Sequence, residues 1–152
     1  MAIIYEGFGN LLTHPAQTII CPVNTVGVMG AGLALAMRNR IRGLNDFYKI
    51  QCNTGKLVAG ICINYPIPNK EQQILLFPTK EHWKDNSTVE LVESALIYLT
   101  TNLELLNIKQ IALPPIGCGL GKLDYTKHLK PLITKYLEPL AIEVSVLHRQ
   151  TP

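Results

Sequence analysis

Two glycine clusters, set far apart in the chain, carry the residue types and spacing of an anion cradle. The first, Asn24-Thr25-Val26-Gly27-Val28-Met29-Gly30-Ala31-Gly32-Leu33-Ala34-Leu35, follows the apolar run Thr18–Val23 and opens a helical pattern reaching Arg40. The second, Ile116-Gly117-Cys118-Gly119-Leu120-Gly121, follows the apolar run Ile108–Leu113 and the pair Pro114-Pro115. Glycine lets the backbone take positive φ and approach a ligand closely, and N–H groups at a helix start attract phosphate. A glycine-punctuated core turn is the competing reading of either cluster alone. Two clusters, each beyond the carboxyl end of a strand, are expected to face one crevice and clasp one multi-phosphate ligand.

The order of the glycines argues against two better-known cradles. A dinucleotide fingerprint needs G-x-G-x-x-G and an acid about 20 positions on. The first cluster reads Gly27-x-x-Gly30-x-Gly32, and the next acid, Asp46, comes early. A Walker loop needs Gly-Lys followed by Ser or Thr, and neither cluster supplies it.

Other chemistry-bearing residues each have a plainer alternative. Lys80, between Pro78-Thr79 and His82-Trp83 at the end of a buried strand pattern, is read as functional rather than as a solvated lysine. His82 is a candidate proton shuttle and equally a hydrogen-bonded loop histidine. Trp83 is read as a core wedge in preference to a base-stacking surface. Cys118 resembles a nucleophile by position, but no signature supplies its base, so it is read as a small buried side chain. Asp124 is a helix N-cap first and a catalytic candidate second. Arg38, Arg40 and Arg42 are read as a solvated helix end in preference to a DNA-backbone contact.

Around these residues the apolar periodicity changes type repeatedly. Ala2–Tyr5, Thr18–Val23, Gly60–Ile67, Gln73–Phe77, Ile108–Leu113 and Ile142–Leu147 read as strands. Helices are expected over Gly32–Arg40, with Leu33, Ala34 and Met37 on one face, and through Leu44, Phe47, Tyr48 and Ile50 to near Gly55. A third runs from a capping box with Ser87 as N-cap and Glu90 at N3, and a last one from Asp124 to about Leu137. Strands alternating with helices imply one α/β domain whose mostly parallel sheet is covered on both faces.

With 152 residues and 47% hydrophobic content, the chain can bury a sizeable core. A net charge of +3 suits an anionic ligand without being the footprint of a dedicated nucleic-acid binder. Cys21, Cys52, Cys62 and Cys118 show no paired or zinc-like spacing, so buried thiols and no metal are expected. No signal peptide or membrane span is read, and a cytoplasmic location is expected.

Four segments in order resemble a macrodomain, the ADP-ribose-binding fold: Gly9-Asn10-Leu11, the stretch Asn24–Ala34, Phe77-Pro78-Thr79-Lys80-x-His82-Trp83, and Pro114-Pro115-x-Gly117-Cys118-Gly119. The third is the most discriminating, being similar to the DarG-like and terminal ADP-ribose glycohydrolase branch. The resemblance implies a three-layer α/β/α macrodomain with a central mixed, mostly parallel sheet over residues 1–152. It places Gly9, Asn10 and Leu11 at the adenine end and Asn24 on the distal ribose. Backbone groups of Gly27, Val28, Met29, Gly30, Ala31 and Gly32, and of Ile116, Gly117, Cys118, Gly119, Leu120 and Gly121, would cradle the diphosphate. Lys80, with Thr79 beside it, would stand at the anomeric carbon and the leaving base. There its ammonium would stabilise a departing base, the favoured role, or its amine would attack to form a Schiff-base-type adduct. Lys80, Asn24 and Asp124 are the expected catalytic set.

Two departures from the family pattern stand out. Cys21 occupies a place where the family often has Asn. Gly121 follows Gly-Cys-Gly-Leu where protein-deacylating relatives carry an acid, leaving Asp124 as the next one. The implied activity is removal of ADP-ribose from modified nucleic acid, thymidine in DNA foremost, as by a DarG-type antitoxin. Hydrolysis of ADP-ribosyl-glutamate on protein and non-catalytic ADP-ribose reading are the alternatives. ADP-ribosylated DNA or protein and a cognate ADP-ribosyltransferase toxin are the implied partners; a monomer without cofactor or membrane association is expected.

Overall fold

Strands β2 (Thr18–Asn24) and β4 (Gln73–Lys80) are buried almost throughout, so they must lie inside a sheet with both faces covered. The computed structural model, which describes residues 2–149, has them paired in parallel at the centre of a six-stranded sheet. The other strands are β1 (Ile3–Phe8), β3 (Ile63–Pro66), β5 (Gln110–Leu113) and β6 (Glu143–His148). Their order is β1-β6-β5-β2-β4-β3, parallel except at the β3–β4 edge hairpin. This is the α/β architecture with a mixed, mostly parallel sheet expected from the alternation of elements.

The two-residue period of the strands sorts their side chains into two cores. Ile20, Leu75, Phe77, Ile111, Leu113, Val144 and Val146 pack on one face, against α3 (Val89–Thr101) and α4 (Lys130–Tyr136). Ile19, Cys21, Val23, Ile74, Leu76, Ala112 and Leu147 pack on the other, against α1 (Gly32–Arg40) and α2 (Leu44–Asn53). β2 therefore sits between two neighbours reached by crossovers on opposite faces. β4 follows through α1 and α2, and β5 follows through α3. Such a switch point opens a crevice beyond the carboxyl ends of the strands.

Local departures from expectation have local causes. β1 continues to Phe8 because Gly7 and Phe8 pair with Leu147 and His148. β4 runs past Phe77 to Lys80, kept in register by β2. Thr88, not Ser87, caps α3, its hydroxyl accepting from the Leu91 N–H at 3.2 Å. Ser87 is engaged elsewhere, its N–H donating to the Gly121 carbonyl at 2.9 Å. Ile50 is 57% exposed, so it lies off the buried face of α2. No helix among the described residues is long and apolar enough to cross a membrane.

Candidate active site

Asn24 ends β2, and a register shift places it opposite Lys80, whereas Val23 pairs with Pro78. Thr79 is the extra residue on β4, a bulge of the kind that re-aims side chains beside functional sites. The two residues expected to act on the ribose are thereby neighbours across one strand pair.

The Asn24 side chain is 5% exposed and organises the loop that follows it. Its Oδ1 accepts from the N–H groups of Val26, Gly27 and Val28 at 3.1, 3.2 and 3.3 Å, and from the Tyr48 hydroxyl at 2.7 Å. Its Nδ2 donates to the Val28 carbonyl at 2.8 Å, leaving a second amide hydrogen for a ligand. Burial pushes the Tyr48 phenol well above its ordinary range, so it stays a neutral donor. Gly27, at φ 88°, turns the chain back towards α2 with a backbone conformation that a side chain would strain. The loop then delivers Gly30, Ala31, Gly32, Leu33 and Ala34 to a cleft of about 990 Å³. Ala31 caps α1 without a side-chain hydrogen bond, so the first-turn N–H groups of a helix that starts at the cleft wall have no capping side chain.

The opposite wall is the loop after β5. Pro114, Pro115, Gly117, Cys118, Gly119, Leu120 and Gly121 all line the same cleft. Among the described residues the N–H groups of Gly119, Leu120 and Gly121 make no hydrogen bond, while Cys118 and Leu123 N–H groups brace the loop internally. Gly121 cannot be replaced without cost, because a Cβ there would collide with the Ser87 hydroxyl and lie 2.5 Å from the Gly117 carbonyl. The two walls meet where Leu120 reaches over Gly32; a Cβ on that glycine would stand 3.5 Å from the leucine Cδ1.

Lys80 closes one end, half-buried, with its Nζ donating to the Trp83 carbonyl at 3.2 Å. Thr79, Trp83 and Ser87 line the cleft with it, and Arg149, which follows β6 on the far side of β5 and β2, lines it as well. No carboxylate lines the cleft among the described residues, whereas two cationic side chains, Lys80 and Arg149, do. The cavity is built for an anion.

Several expected residues sit elsewhere. Met29 and Ile116 are core residues behind their loops, and the Gly27 N–H is spent on Asn24. Asn10 caps a short 3-10 turn over Leu11–Thr13, Leu11 is buried, and Gly9 donates to the His148 carbonyl, one residue before Arg149. None of the three lines the cleft itself. Asp124 does not line it either: its Oδ1 accepts from the Lys127 N–H at 2.8 Å, capping the π-helical turn Tyr125–Leu129 that leads into α4. Asp124 thus stands as a helix cap outside the lining that contains Lys80. Cys118 lies in the wall, but burial and then the Asp124 charge push its thiol up to about 11, which leaves it protonated at neutral pH. Cys21 faces the α1–α2 core, fully buried, and burial pushes its thiol up to about 12.

Two contributors escaped the sequence reading, and a third was weighed there but read the other way. Arg149 follows β6, and only the strand order shows that this end opens on the crevice. Tyr48 is fixed to Asn24 by tertiary packing alone. Trp83 is 49% exposed at the mouth, which overturns its reading as a core wedge.

The Macro domain sequence profile matches residues 20–130, a span that contains both glycine loops and Lys80. The chain belongs to the macro domain family. Among its macrodomain relatives is the DNA ADP-ribosyl glycohydrolase of Thermus aquaticus, 37% identical over 142 residues, which cover 91% of this chain and 39% of the relative. The chain spans about two fifths of the length of the curated relatives it matches. The solved macrodomain of Thermus aquaticus DarG superposes with a TM-score of 0.89 at 35% identity, covering 97% of this chain and 99% of that one. Thermosipho africanus DarTG in complex with ADP-ribose gives a TM-score of 0.87 at 32% identity, covering 95% of this chain and 42% of that one.

Proposed function

We propose that this macrodomain binds ADP-ribose in the cleft and hydrolyses the bond joining its distal ribose to a nucleobase of DNA, thymine foremost. The observation that carries the reading is the pairing of Asn24 with Lys80 at the open end of a cleft walled by two glycine loops. The uncapped N–H groups at the start of α1 and those of Gly119–Gly121 suit a diphosphate gripped from both sides. Relatives named DNA ADP-ribosyl glycohydrolase and a related structure in complex with ADP-ribose support the same ligand and reaction.

In the proposed reaction the distal ribose lies against Asn24, whose remaining amide hydrogen donates to a ribose hydroxyl. As the glycosidic bond breaks, its electron pair leaves with the base, and positive charge develops at the anomeric carbon. The Lys80 ammonium donates a hydrogen bond to the departing base carbonyl and stabilises its negative charge. Water adds to the anomeric carbon, and its proton restores the base, giving free ADP-ribose and unmodified DNA. With no carboxylate lining the cleft among the described residues, a leaving group that needs charge stabilisation is favoured over one that needs a carboxylate base. An ADP-ribosyltransferase acting on DNA must supply the substrate.

The test compares ADP-ribose release from a modified oligonucleotide and from a glutamate-modified protein. Release is expected from the oligonucleotide and to be abolished in Lys80→Ala, with free ADP-ribose still bound. Turnover of that variant at the wild-type rate would remove Lys80 from the mechanism. Preference for the protein substrate would reassign the leaving group.

A further inference from the structure

We propose that Trp83 is a stacking platform for a base next to the modified nucleotide, making the 81–85 turn the element that selects a DNA strand over a protein. The proposal rests on the reading of the cleft as a DNA ADP-ribosyl hydrolase. Trp83 is the one tryptophan of the sequence, and a residue of that size is normally buried. Here it stands 49% exposed at the mouth of the cleft, one turn from Lys80.

The exposure is not that of a slack loop. The His82 N–H donates to Asp85 Oδ2 at 3.1 Å, the Asp85 N–H to the His82 carbonyl at 3.0 Å, and the Lys84 N–H to His82 Nδ1 at 3.1 Å. The Glu81 carbonyl accepts from both the N–H and the hydroxyl of Thr25, each at 3.1 Å, fastening the turn to the first glycine loop. The Trp83 carbonyl takes the Lys80 ammonium. An indole displayed on so many bonds is held ready for a partner, with little left to order on binding.

Its neighbours fit a nucleotide. The Lys84 ammonium lies 5.1 Å from the indole centroid, and the His82 ring centre lies 5.3 Å away at a 30° tilt. Lys84 offers charge to a flanking phosphate, while the Asp85 carboxylate accepts from the His82 N–H. A cation beside a flat aromatic is the combination that holds single strands with little regard to sequence. A glutamate-linked ADP-ribose brings no base to that ring.

Because Trp83 is the sole tryptophan, its fluorescence reports the contact directly. Titration of the full chain, saturated with ADP-ribose, with an unmodified single-stranded oligothymidylate is expected to quench the emission. Trp83→Ala should lower kcat/KM on a modified oligonucleotide about tenfold more than on the modified mononucleoside, chiefly through KM. Trp83→Phe should recover most of the difference. Calorimetric binding of free ADP-ribose to the wild type tests the underlying cleft assignment separately, and thermal melting confirms that both variants are folded. Absent quenching, equal losses on the two substrates, or no recovery by phenylalanine would overturn the stacking role even where ADP-ribose binds.

Discussion

Asn24 serves two masters with one side chain. Its carbonyl oxygen gathers three backbone N–H groups and the Tyr48 hydroxyl, and only one amide hydrogen remains for the ligand. The Tyr48 hydroxyl lies 2.7 Å from the Asn24 backbone carbonyl as well, so its single hydrogen is shared between two acceptors of the same residue. Removing the hydroxyl leaves those acceptors short of a buried donor, a loss of about 1–3 kcal/mol. Tyr48→Phe is therefore expected to lower stability by that amount in urea unfolding. It should also weaken ADP-ribose binding severalfold by calorimetry, because the loop that presents α1 loses its anchor. A binding constant equal to the wild type in a measurably destabilised variant would separate the anchor from the site.

At the level of elements, the second glycine loop is defined by what stands behind it. Ser87, immediately before the α3 cap, donates its N–H to Gly121, and its hydroxyl is buried without a protein partner among the described residues. Gly121→Ala would drive a methyl group into that hydroxyl and the Gly117 carbonyl. The loop must shift, and ADP-ribose affinity is expected to fall at least tenfold, with a stability loss of about 1–3 kcal/mol. Calorimetry beside thermal melting checks both. Helix α1 was legible to the residue because a glycine start and an arginine-rich end bracket an apolar stripe. The end of β4 was not legible, since Pro78 and Thr79 interrupt the apolar run while pairing with β2 carries the strand on to Lys80. The bulge that sets Lys80 against Asn24 lies in that unread stretch. Likewise, the capping role of Asp124 was legible from its place before a helical pattern, and its side chain is engaged as that cap.

On the scale of the whole molecule, the edge strand β1 is held to β6 and to the start of α4 partly by charge. Glu6 accepts from His148 Nε2 at 3.0 Å and lies 3.6 Å from the Lys130 ammonium. These partners, the His148 hydrogen bond foremost, hold the Glu6 carboxyl below its ordinary range. A carboxylate lowered by folding contributes stability above its unfolded value and loses it as the pH falls from about 4.5. The group is more than a third exposed, so solvent screening limits the effect to less than about 1 kcal/mol. Melting temperatures of wild type and Glu6→Gln are expected to differ at pH 7 and to draw together as the pH falls below 4.5 and through the lowered value of the folded state. A constant gap across that range would assign the loss to packing.

The fastening of the 81–85 turn to Thr25 divides the cleft into two halves that answer to different pressures. The walls proposed to grip the diphosphate are each braced from behind, one by Asn24 with Tyr48 and the other by Gly121 with Ser87, so a change to one partner disturbs its fellow. The turn at the mouth is one short, internally bonded unit joined to the first of those walls through a single carbonyl. It is thus a natural cassette: under the proposed function, exchanging residues 81–85 should change which modified acceptor is used while binding of ADP-ribose is retained.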